Sequence, residues 1–444
     1  MKGFLKKYAF GIGIILLHGM YFMAALHFGR IYNGDSFEYI YEAVNIKNNF
    51  FFYSANPVLP LTEEYMTLRT PGYPLFLLLV YSWAINNWMV LIIQSGLSIF
   101  NVFLCRDTFL KLGYQKNYDG WLFLLLLVFP SQLVYAHIIA PDILLQTFTL
   151  LYFRFMILFL QKKERKYSMW MSLALIGGIF MKPVLYPYAF IHFPIMLFLG
   201  GYFKQFNFRF VSAALLPIIC IVAYSGINAK RTGKYHFSSI QSFNAIYYYQ
   251  RFYTDKVSAD AGKAYIQKER TAIAQLPDFA ARYDEANERG VSLLLSNFSS
   301  YLPYHLSKSA LYFLETGRGE LDEFTGRMTL AKVYAGESVK FSTILKNWNR
   351  NEIVTYIFNH GSVALALVTL LSNLVKLLGI ILFLLYAPYS KWIKWFVTLF
   401  FLYFALITGP IANAHYVMPI SLLLMCCAIS GFIFTFNKNK KTSV

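Results

Sequence analysis

Two isolated acidic residues are the positions of this chain best suited to acid–base chemistry. Asp35 stands in the polar run NGDSFEYIYEA after a first apolar segment, and Asp142 stands in APDILLQTF, where a later apolar segment begins. Either acid would be an ordinary helix cap in many proteins. An acid beside membrane-length apolar segments is costly, however, and usually has a function. Because a carboxylate can take a proton from a hydroxyl nucleophile, we predict that Asp35 and Asp142 are catalytic.

Four more polar residues lie where other apolar segments begin or end. Arg69 stands in TLRTPGYPLF, Lys182 in FMKPVLYP, and His415 and Tyr416 in NAHYVMP. A guanidinium binds phosphate through two parallel hydrogen bonds and keeps its charge, and a lysine adds a point charge. We predict that these four residues bind an anionic phosphate. The alternatives are an arginine that anchors the chain at the membrane interface and a histidine that serves only in packing.

The residues that follow Asp35 offer further candidates. Ser36, Glu38 and Tyr39 are predicted substrate contacts because they share the same short polar run. Glu38 and Glu42 are also rivals of Asp35 for the role of base, and we rank both below it. An acid shortly after Asp35 is equally typical of a capped helix start.

The composition of the chain identifies a membrane protein. Of its 444 residues, 57% are hydrophobic and 14% are charged, and the mean hydropathy is +0.46. A soluble domain is about half apolar and about a quarter charged. The net charge of +18 comes largely from short basic connections such as QKKERKY, as the positive-inside rule expects. We therefore predict an all-α polytopic membrane protein and exclude nucleic acid as a partner.

Apolar segments of spanning length predict about ten transmembrane helices. The segments lie near residues 8–28, 72–105, 120–139, 143–161, 168–182, 184–201, 210–228, 361–386, 395–412 and 416–436. We count 72–105 as one net crossing, with a possible break at Asn86-Asn87, because this choice places the basic connections on the cytoplasmic side. All the polar elements named above then face the outside. A bacterial inner-membrane protein with an extracytoplasmic active site is the expected localisation.

The polar segment 229–360 divides the chain into three predicted parts. Residues 1–228 form an N-terminal membrane module with a first external loop at 29–73, and residues 361–444 form the C-terminal membrane helices. The segment 229–360 holds 17 of the 40 basic and 13 of the 22 acidic residues, a balance typical of soluble structure. Its apolar residues recur at three- and four-residue spacing in AGKAYIQKERTAIAQL, after Asp278, and in YLPYHLSKSALYFLE, which predicts amphipathic helices.

The chain has no motif for a nucleotide cofactor or a metal. It contains no P-loop, GxSxG, HExxH or Rossmann glycine pattern. The four cysteines lie in apolar segments without the spacing of a zinc site or a disulfide framework. We predict no cofactor and no metal site, and a role for a divalent cation stays open. An enzyme of this kind needs an energised donor that is already in the membrane.

The order of these motifs resembles the GT-C superfamily of glycosyltransferases. GDSFEYIYEA after the first span, R-x-PGYPLF, PDILLQTF, the KP of Lys182 and AHYVMPISLLL look like glycosyltransferase family 39. Relatives of that family include protein O-mannosyltransferases and the aminoarabinose transferase of lipid A. The resemblance covers about residues 1–230 well and the last third loosely. His415 stands where an arginine is usual, and Asp35 lacks the following glutamate of eukaryotic protein mannosyltransferases.

The resemblance implies a GT-C-like fold and an inverting sugar transfer at the outer face of the membrane. The donor would be a polyprenyl-phosphate sugar of the undecaprenyl type, and the acceptor a glycan, a lipid or a protein. Asp35 would be the general base, Arg69 and Lys182 would bind the donor phosphate, and Asp142 would orient the acceptor or hold Arg69. The alternatives are a polysaccharide polymerase or O-antigen ligase with a diphosphate donor, and a transporter of lipid-linked saccharides.

Overall fold

The computed structural model describes residues 2–83, 85–327, 349–359, 361–411 and 413–442. Throughout these ranges the regular structure is helical, and they contain no strand. The prediction of an all-α protein is confirmed.

Ten helices form the first half of the chain. They are α1 (Lys2–Phe28), α2 (Ser36–Asn49), α3 (Gly72–Tyr81), α4 (Asn87–Leu110), α5 (Asp119–Leu127), α6 (Ser131–Ala136), α7 (Asp142–Lys162), α8 (Lys166–Met181), α9 (Tyr186–Tyr202) and α10 (Phe208–Thr232). The described helices that follow are α11 (Asn244–Lys256), α12 (Ala259–Ala274), α13 (Phe279–Ser296), α14 (Phe298–Leu311), α15 (Arg318–Phe324), α16 (Arg350–Asn359), α17 (Gly361–Tyr386), α18 (Lys391–Thr408) and α19 (Ala414–Thr442).

Eight helices in the described ranges are long and apolar enough to cross a membrane. They are α1, α4, α7, α9, α10, α17, α18 and α19. The chain is therefore an integral membrane protein. These eight helices correspond to eight of the ten predicted segments.

The other two predicted segments form shorter helices. Segment 168–182 becomes α8, and segment 120–139 becomes α5 and α6, which are separated at Pro130. Pro130 has no N–H with which to continue α5, and a carbonyl at the end of a helix, such as that of Val128, needs a donor from elsewhere. The hydroxyl of Thr369 in α17 donates to it at 2.6 Å. Segment 120–139 was thus wrongly predicted as one continuous helix.

The ambiguous segment 72–105 contains two helices. The short apolar helix α3 ends at Tyr81, and α4 begins at Asn87. The side chain of Asn86 accepts a hydrogen bond from the backbone N–H of Trp88 at 2.8 Å and caps α4. The predicted break at Asn86-Asn87 is confirmed.

Helix α19 is the centre of the membrane bundle. Of its most apolar stretch, 89% is buried within the protein, and α17 packs along it. A Cβ atom on Gly431 would lie 1.9 Å from the carbonyl oxygen of Gly379, so only glycine fits there. Small residues of this kind let two membrane helices approach closely.

Buried polar side chains fasten α7 to α19 inside the bundle. The amide of Gln146 in α7 donates to the carbonyl oxygen of Met418 in α19 at 2.6 Å. Gln146 and Gln132 exchange amide hydrogen bonds at 2.8 and 2.9 Å, and Ser421 donates to Gln132 at 3.1 Å. Asp142 lies one turn before Gln146, so this network fixes the start of α7 relative to the start of α19.

The described helices between the membrane segments agree with the predicted amphipathic helices. Helices α12, α13 and α14 occupy the three predicted stretches. The side chain of Asp278 caps α13 by accepting from the backbone N–H of Ala281 at 2.8 Å. Ile246, Ile273 and Ala286 form a small buried core between α11, α12 and α13. The boundaries of the three-part division stay a prediction, and residues 328–348 and 360 lie outside the described ranges.

Candidate functional site

A close contact between the turn after Arg69 and the end of α8 brings the predicted site together. Gly72 packs against the carbonyl of Phe180, where an added Cβ atom would lie 2.5 Å from the oxygen. Any larger residue would push the turn away from α8. The glycine therefore holds Arg69 near Lys182, which caps the end of α8.

Arg69 binds two acids at the start of α2. It forms an ion pair with Asp35 at 2.8 Å and a hydrogen-bonded ion pair with Glu38. The side chain of Arg69 is 10% exposed, whereas that of Asp35 is 51% exposed. We name Arg69 and Asp35 the rim pair, and Glu38 shares the guanidinium of Arg69 with Asp35.

The structure distinguishes the two interpretations of Asp35. Asp35 occupies the N-cap position of α2, but its side chain makes no capping hydrogen bond. The carboxylate points instead toward Arg69. Capping therefore does not account for this acid.

Burial and neighbouring charges shift the pKa values of Glu38 and Arg69 in opposite directions. Burial raises the pKa of Glu38, and the attraction of Arg69 counteracts that rise. Burial alone would lower the pKa of Arg69, but the neighbouring Tyr39, Asp35 and Glu38 hold it above its usual value. Arg69 also lies over the ring of Tyr39, at 5.0 Å from the ring centre. Arg69 is thus a fixed, permanently charged cation.

A second ion pair lies deeper in the protein. Lys182 binds Asp142 at 3.1 Å, and their side chains are 16% and 2% exposed. We name these two residues the buried pair. The predicted alternative in which Asp142 holds Arg69 is wrong, because the ion-pair partners of Arg69 are Asp35 and Glu38.

The start of α19 connects the buried pair to the surface of the site. The ammonium of Lys182 lies 5.1 Å from the centre of the Tyr416 ring. The His415 ring packs on Tyr416 with 4.0 Å between ring centres. His415 and Tyr416 therefore lie together beside Lys182. The prediction that these residues bind a phosphate needs them to be neighbours.

Sequence reasoning missed one residue that orders this start. The carboxylate of Glu320 in α15 accepts from the backbone N–H of Ala414 at 3.1 Å and so caps α19. Burial raises the pKa of Glu320, while hydrogen bonds from the backbone of Ala414 and His415 oppose the rise. No local pattern indicates this role, since Glu320 lies far from α19 in the sequence.

A cavity of about 940 Å³ opens over the rim pair. Asp35, Glu38, Arg69, His415 and Tyr416 line it, together with residues of α11, α12 and α13. Cavities of this size accept drug-sized ligands. Asp142 and Lys182 do not line the cavity. Lys182 contacts the ring of Tyr416, which does line it. The arrangement can place one half-exposed carboxylate and several cationic or hydroxyl groups against a bound molecule.

Two of the predicted substrate contacts lie inside the protein. The Ser36 hydroxyl is fully buried and bonds the carbonyl oxygen of Ile139 at 2.7 Å. This bond ties the start of α2 to the segment before α7. Tyr39 is buried beneath Arg69 and packs against Tyr73. Both residues shape the site without lining the cavity.

A long apolar groove lies among α7, α9 and α18. Its volume is about 900 Å³, and aromatic and aliphatic side chains such as Phe198, Trp392 and Ile407 line it. At one end, the hydroxyl of Tyr403 donates to the carbonyl of Val184, two residues from Lys182. The groove therefore reaches the neighbourhood of the buried pair.

The described residues contain no group of three or more His, Cys, Asp or Glu side chains arranged to hold a metal ion. The predictions on cofactors and on a divalent cation remain untested.

Comparisons with known proteins find a likeness to a solved structure. No protein-family model matches the chain, and a search of curated proteins finds no match. The crystal structure of ArnT from Cupriavidus metallidurans bound to undecaprenyl phosphate is similar at a TM-score of 0.41 and 12% identity. The similarity covers 96% of this chain and 78% of that one. A likeness of this size carries no argument about activity or substrate.

Proposed function

We propose that this protein is a glycosyltransferase that moves a sugar from a polyprenyl-phosphate donor to an acceptor hydroxyl, with inversion at the anomeric carbon. One observation carries the proposal. A half-exposed carboxylate, Asp35, lies beside the fixed cation Arg69 at a cavity whose lining also includes Tyr416, which covers Lys182. A base and a set of phosphate-binding groups thus meet at one end of a membrane bundle.

Asp35 is the proposed general base. Displacement of a sugar from its phosphate needs the acceptor hydroxyl to lose its proton, and a carboxylate held within hydrogen-bond reach can take it. Among the carboxylates that line the cavity, Asp35 is the most exposed in an ion pair. Glu38 is held more firmly by Arg69, which makes it the weaker candidate.

Arg69, Lys182, His415 and Tyr416 are the proposed phosphate-binding residues. The leaving phosphate needs no protonation, but cations aimed at it stabilise the charge that develops in the transition state. A phosphate that binds Arg69 competes with Asp35 for the same guanidinium. Donor binding would therefore release the Asp35 carboxylate for the acceptor proton. Asp142 would keep Lys182 in place for its contact with Tyr416.

The apolar groove is the proposed position of the polyprenyl tail. Its lining is almost entirely hydrocarbon, and one end lies near Lys182. A chain of isoprene units that moves there from the bilayer would be held by van der Waals packing against this lining, because lipid tails are equally apolar. The phosphate at the head of the chain would then lie at the cationic residues.

Native mass spectrometry of the protein extracted with its lipids tests the proposed donor class. The proposal expects a bound polyprenyl monophosphate, with or without a sugar. A bound polyprenyl-diphosphate oligosaccharide would contradict it and favour a polymerase or ligase. Arg69→Ala should reduce the amount of bound lipid phosphate, with Lys268→Ala as a surface control.

We also propose that the cavity faces the outside of a bacterial inner membrane. The support is the positive-inside distribution of basic connections. A cysteine at Ser299, exposed in α14, should react with an impermeant maleimide added to intact cells. A cysteine at Lys166, exposed at the start of α8, should stay unlabelled. Labelling of Lys166→Cys alone would contradict the proposed orientation.

A further inference from the structure

Part of the cavity lining carries positive charge that the proposed donor chemistry does not use. Arg251 in α11 and Lys263 and Arg270 in α12 all line the cavity and are exposed. We name these three residues the basic wall. They belong to helices outside the membrane bundle, whereas the rim pair belongs to the first external loop.

Two cations of the basic wall, Arg251 and Arg270, are less neutralised than Arg69 and Arg282. Arg282 binds Glu63 and Glu64 at 3.1 and 3.4 Å, and Arg69 binds Asp35 and Glu38. In the described ranges, Arg251 and Arg270 make no ion pair with a carboxylate within 4.0 Å.

The contacts of Arg270 and Arg251 do not neutralise their positive charge, and both side chains line the cavity. Arg270 donates to the hydroxyl of Tyr247 and lies 5.6 Å from the centre of its ring. Asp255, the acid nearest in sequence to Arg251, is bound by Lys308 at 2.6 Å. Lys263 pairs with the exposed Asp260 at 3.6 Å.

We propose that the acceptor of the sugar is anionic and that the basic wall binds its phosphate or carboxylate group. Clefts lined by charge of one sign concentrate ligands of the other sign, and arginine matches the geometry of phosphate and carboxylate oxygens. That the bound molecule is the sugar acceptor rests on the proposed function. That the basic wall binds an anion does not depend on it.

The distribution of charge around the cavity sets the orientation of such an acceptor. Asp35, Glu38 and Glu64 line the part contributed by the first external loop. Arg69 and Arg282 bind these carboxylates, so this part of the cavity attracts a second anion less than Arg251 and Arg270 do. The acceptor is therefore held with its anionic group at the basic wall and with a hydroxyl free to approach Asp35.

A side pocket next to the cavity adds contacts for the same molecule. It has a volume of about 240 Å³ and shares Arg251, Ile411 and Asn413 with the cavity lining. The side-chain oxygen of Asn413 is buried and has no hydrogen-bond partner in the described ranges. A glycan whose anionic group binds Arg251 would place a neighbouring hydroxyl where it can donate to this oxygen.

Binding of a small phosphorylated sugar tests the basic wall directly. The full-length protein in nanodiscs of neutral phosphatidylcholine would be dialysed against labelled glucose 6-phosphate or labelled glucose. We expect glucose 6-phosphate to bind more tightly than glucose, and added salt to weaken its binding. Arg251→Gln and Arg270→Gln should each weaken binding by about three- to five-fold, the upper range for an exposed ion pair. The double variant should lose about ten-fold or more.

Lys268→Gln is the matched control, because Lys268 is exposed on α12 and does not line the cavity. It should bind glucose 6-phosphate as the wild type does. A double variant that binds like the wild type would assign the anion to Arg69 or Lys182 and overturn the proposal. Equal binding of glucose and glucose 6-phosphate would overturn it as well.

A second arm distinguishes the source of the anion and separates the two proposals. If phosphatidylglycerol in the nanodisc displaces glucose 6-phosphate, the basic wall accepts a lipid headgroup. If it does not, the basic wall accepts a soluble or polymeric glycan. The double variant should still carry bound polyprenyl monophosphate in the native mass spectrum. A wild-type protein that binds glucose 6-phosphate at the basic wall but carries no polyprenyl phosphate would refute the proposed donor alone.

Discussion

The two ion pairs of the site have the same charges but very different surroundings. In the rim pair, Asp35 is half exposed and shares Arg69 with Glu38. In the buried pair, Asp142 is almost fully buried and has Lys182 as its ion-pair partner. A carboxylate that exchanges protons with a substrate must be accessible, whereas a buried carboxylate mainly stabilises the cation beside it. On this comparison we propose that Asp35 takes the acceptor proton and that Asp142 holds Lys182 in position.

The largest expected effect follows from removing the proposed base. Asp35→Asn keeps the size of the side chain but cannot take a proton, so transfer should fall by roughly 10²–10⁴-fold. The thermal stability of the protein should change little, because Asp35 is half exposed. Initial rates of transfer in membrane vesicles, normalised to protein amount, measure the effect. Glu38→Gln is the matched variant, and a greater loss in Glu38→Gln would move the role of base to Glu38.

Substitution of Asp142 in the buried pair should lower the stability of the protein as well as its transfer activity. Asp142→Asn leaves the buried Lys182 without its carboxylate, and breaking a buried ion pair typically costs about 3–5 kcal/mol. Thermal unfolding in detergent should show a large decrease in Tm. The double variant Asp142→Leu with Lys182→Met should recover much of the Tm but not the transfer activity. An Asp142→Asn protein as stable as Asp35→Asn would remove the distinction between the two pairs.

A third prediction separates phosphate binding by Arg69 from simple anchoring. Lysine cannot match the planar fork of arginine at a phosphate, so Arg69→Lys should raise the donor KM by about ten-fold, which equals about 1.4 kcal/mol. Lys182→Arg should have a smaller effect if Lys182 supplies only charge. Kinetics against a defined polyprenyl-phosphate sugar measure both. An Arg69→Lys enzyme with normal kinetics would make Arg69 an interface anchor.

The smallest expected effect concerns Glu42, a third acid on α2. Glu42 is buried, its Oε2 atom lacks a hydrogen-bond partner in the described ranges, and burial raises its pKa to about 8. Between the usual pKa of 4.5 and about 8, the folded protein therefore holds a proton that the unfolded chain has lost. Linkage then requires wild-type stability to fall as pH rises through this window.

Glu42→Gln removes that dependence. Its Tm should exceed the wild-type Tm near the upper end of the window by about 2 °C or more, and the difference should shrink toward the lower end. Melting curves across the window measure it. A difference that stays constant with pH would show that Glu42 does not titrate in this range.

Local patterns predicted much of the fold. The limits of α17 and the break before α4 follow from apolar length and from an asparagine cap. The division of segment 120–139 was missed because the segment is apolar on average, although the polar Ser131 and Gln132 follow Pro130 directly. The carbonyl of Val128 at this break accepts from the hydroxyl of Thr369, which is distant in sequence.

The sequence indicated which residues form the candidate site, but it did not indicate which acid pairs with which cation. Asp35, Arg69, Asp142, Lys182 and Tyr416 all mark the ends of apolar segments, so sequence places them at membrane surfaces. Which acid meets which cation depends on helix packing, such as the contact of Gly72 with α8. The cap that Glu320 provides and the basic wall depend on chain segments that meet only in the folded protein.

The central proposal is that the protein uses a polyprenyl-monophosphate sugar as donor and that Asp35 is the general base. One measurement tests both parts directly. Membrane vesicles that contain the protein together with its native acceptor would be incubated with a polyprenyl-monophosphate sugar or the matching diphosphate-linked sugar, and the released lipid would be identified by mass spectrometry. The account predicts release of polyprenyl phosphate from the monophosphate donor by the wild type and almost none by Asp35→Asn. Consumption of the diphosphate donor instead, or equal release by Asp35→Asn, would contradict it.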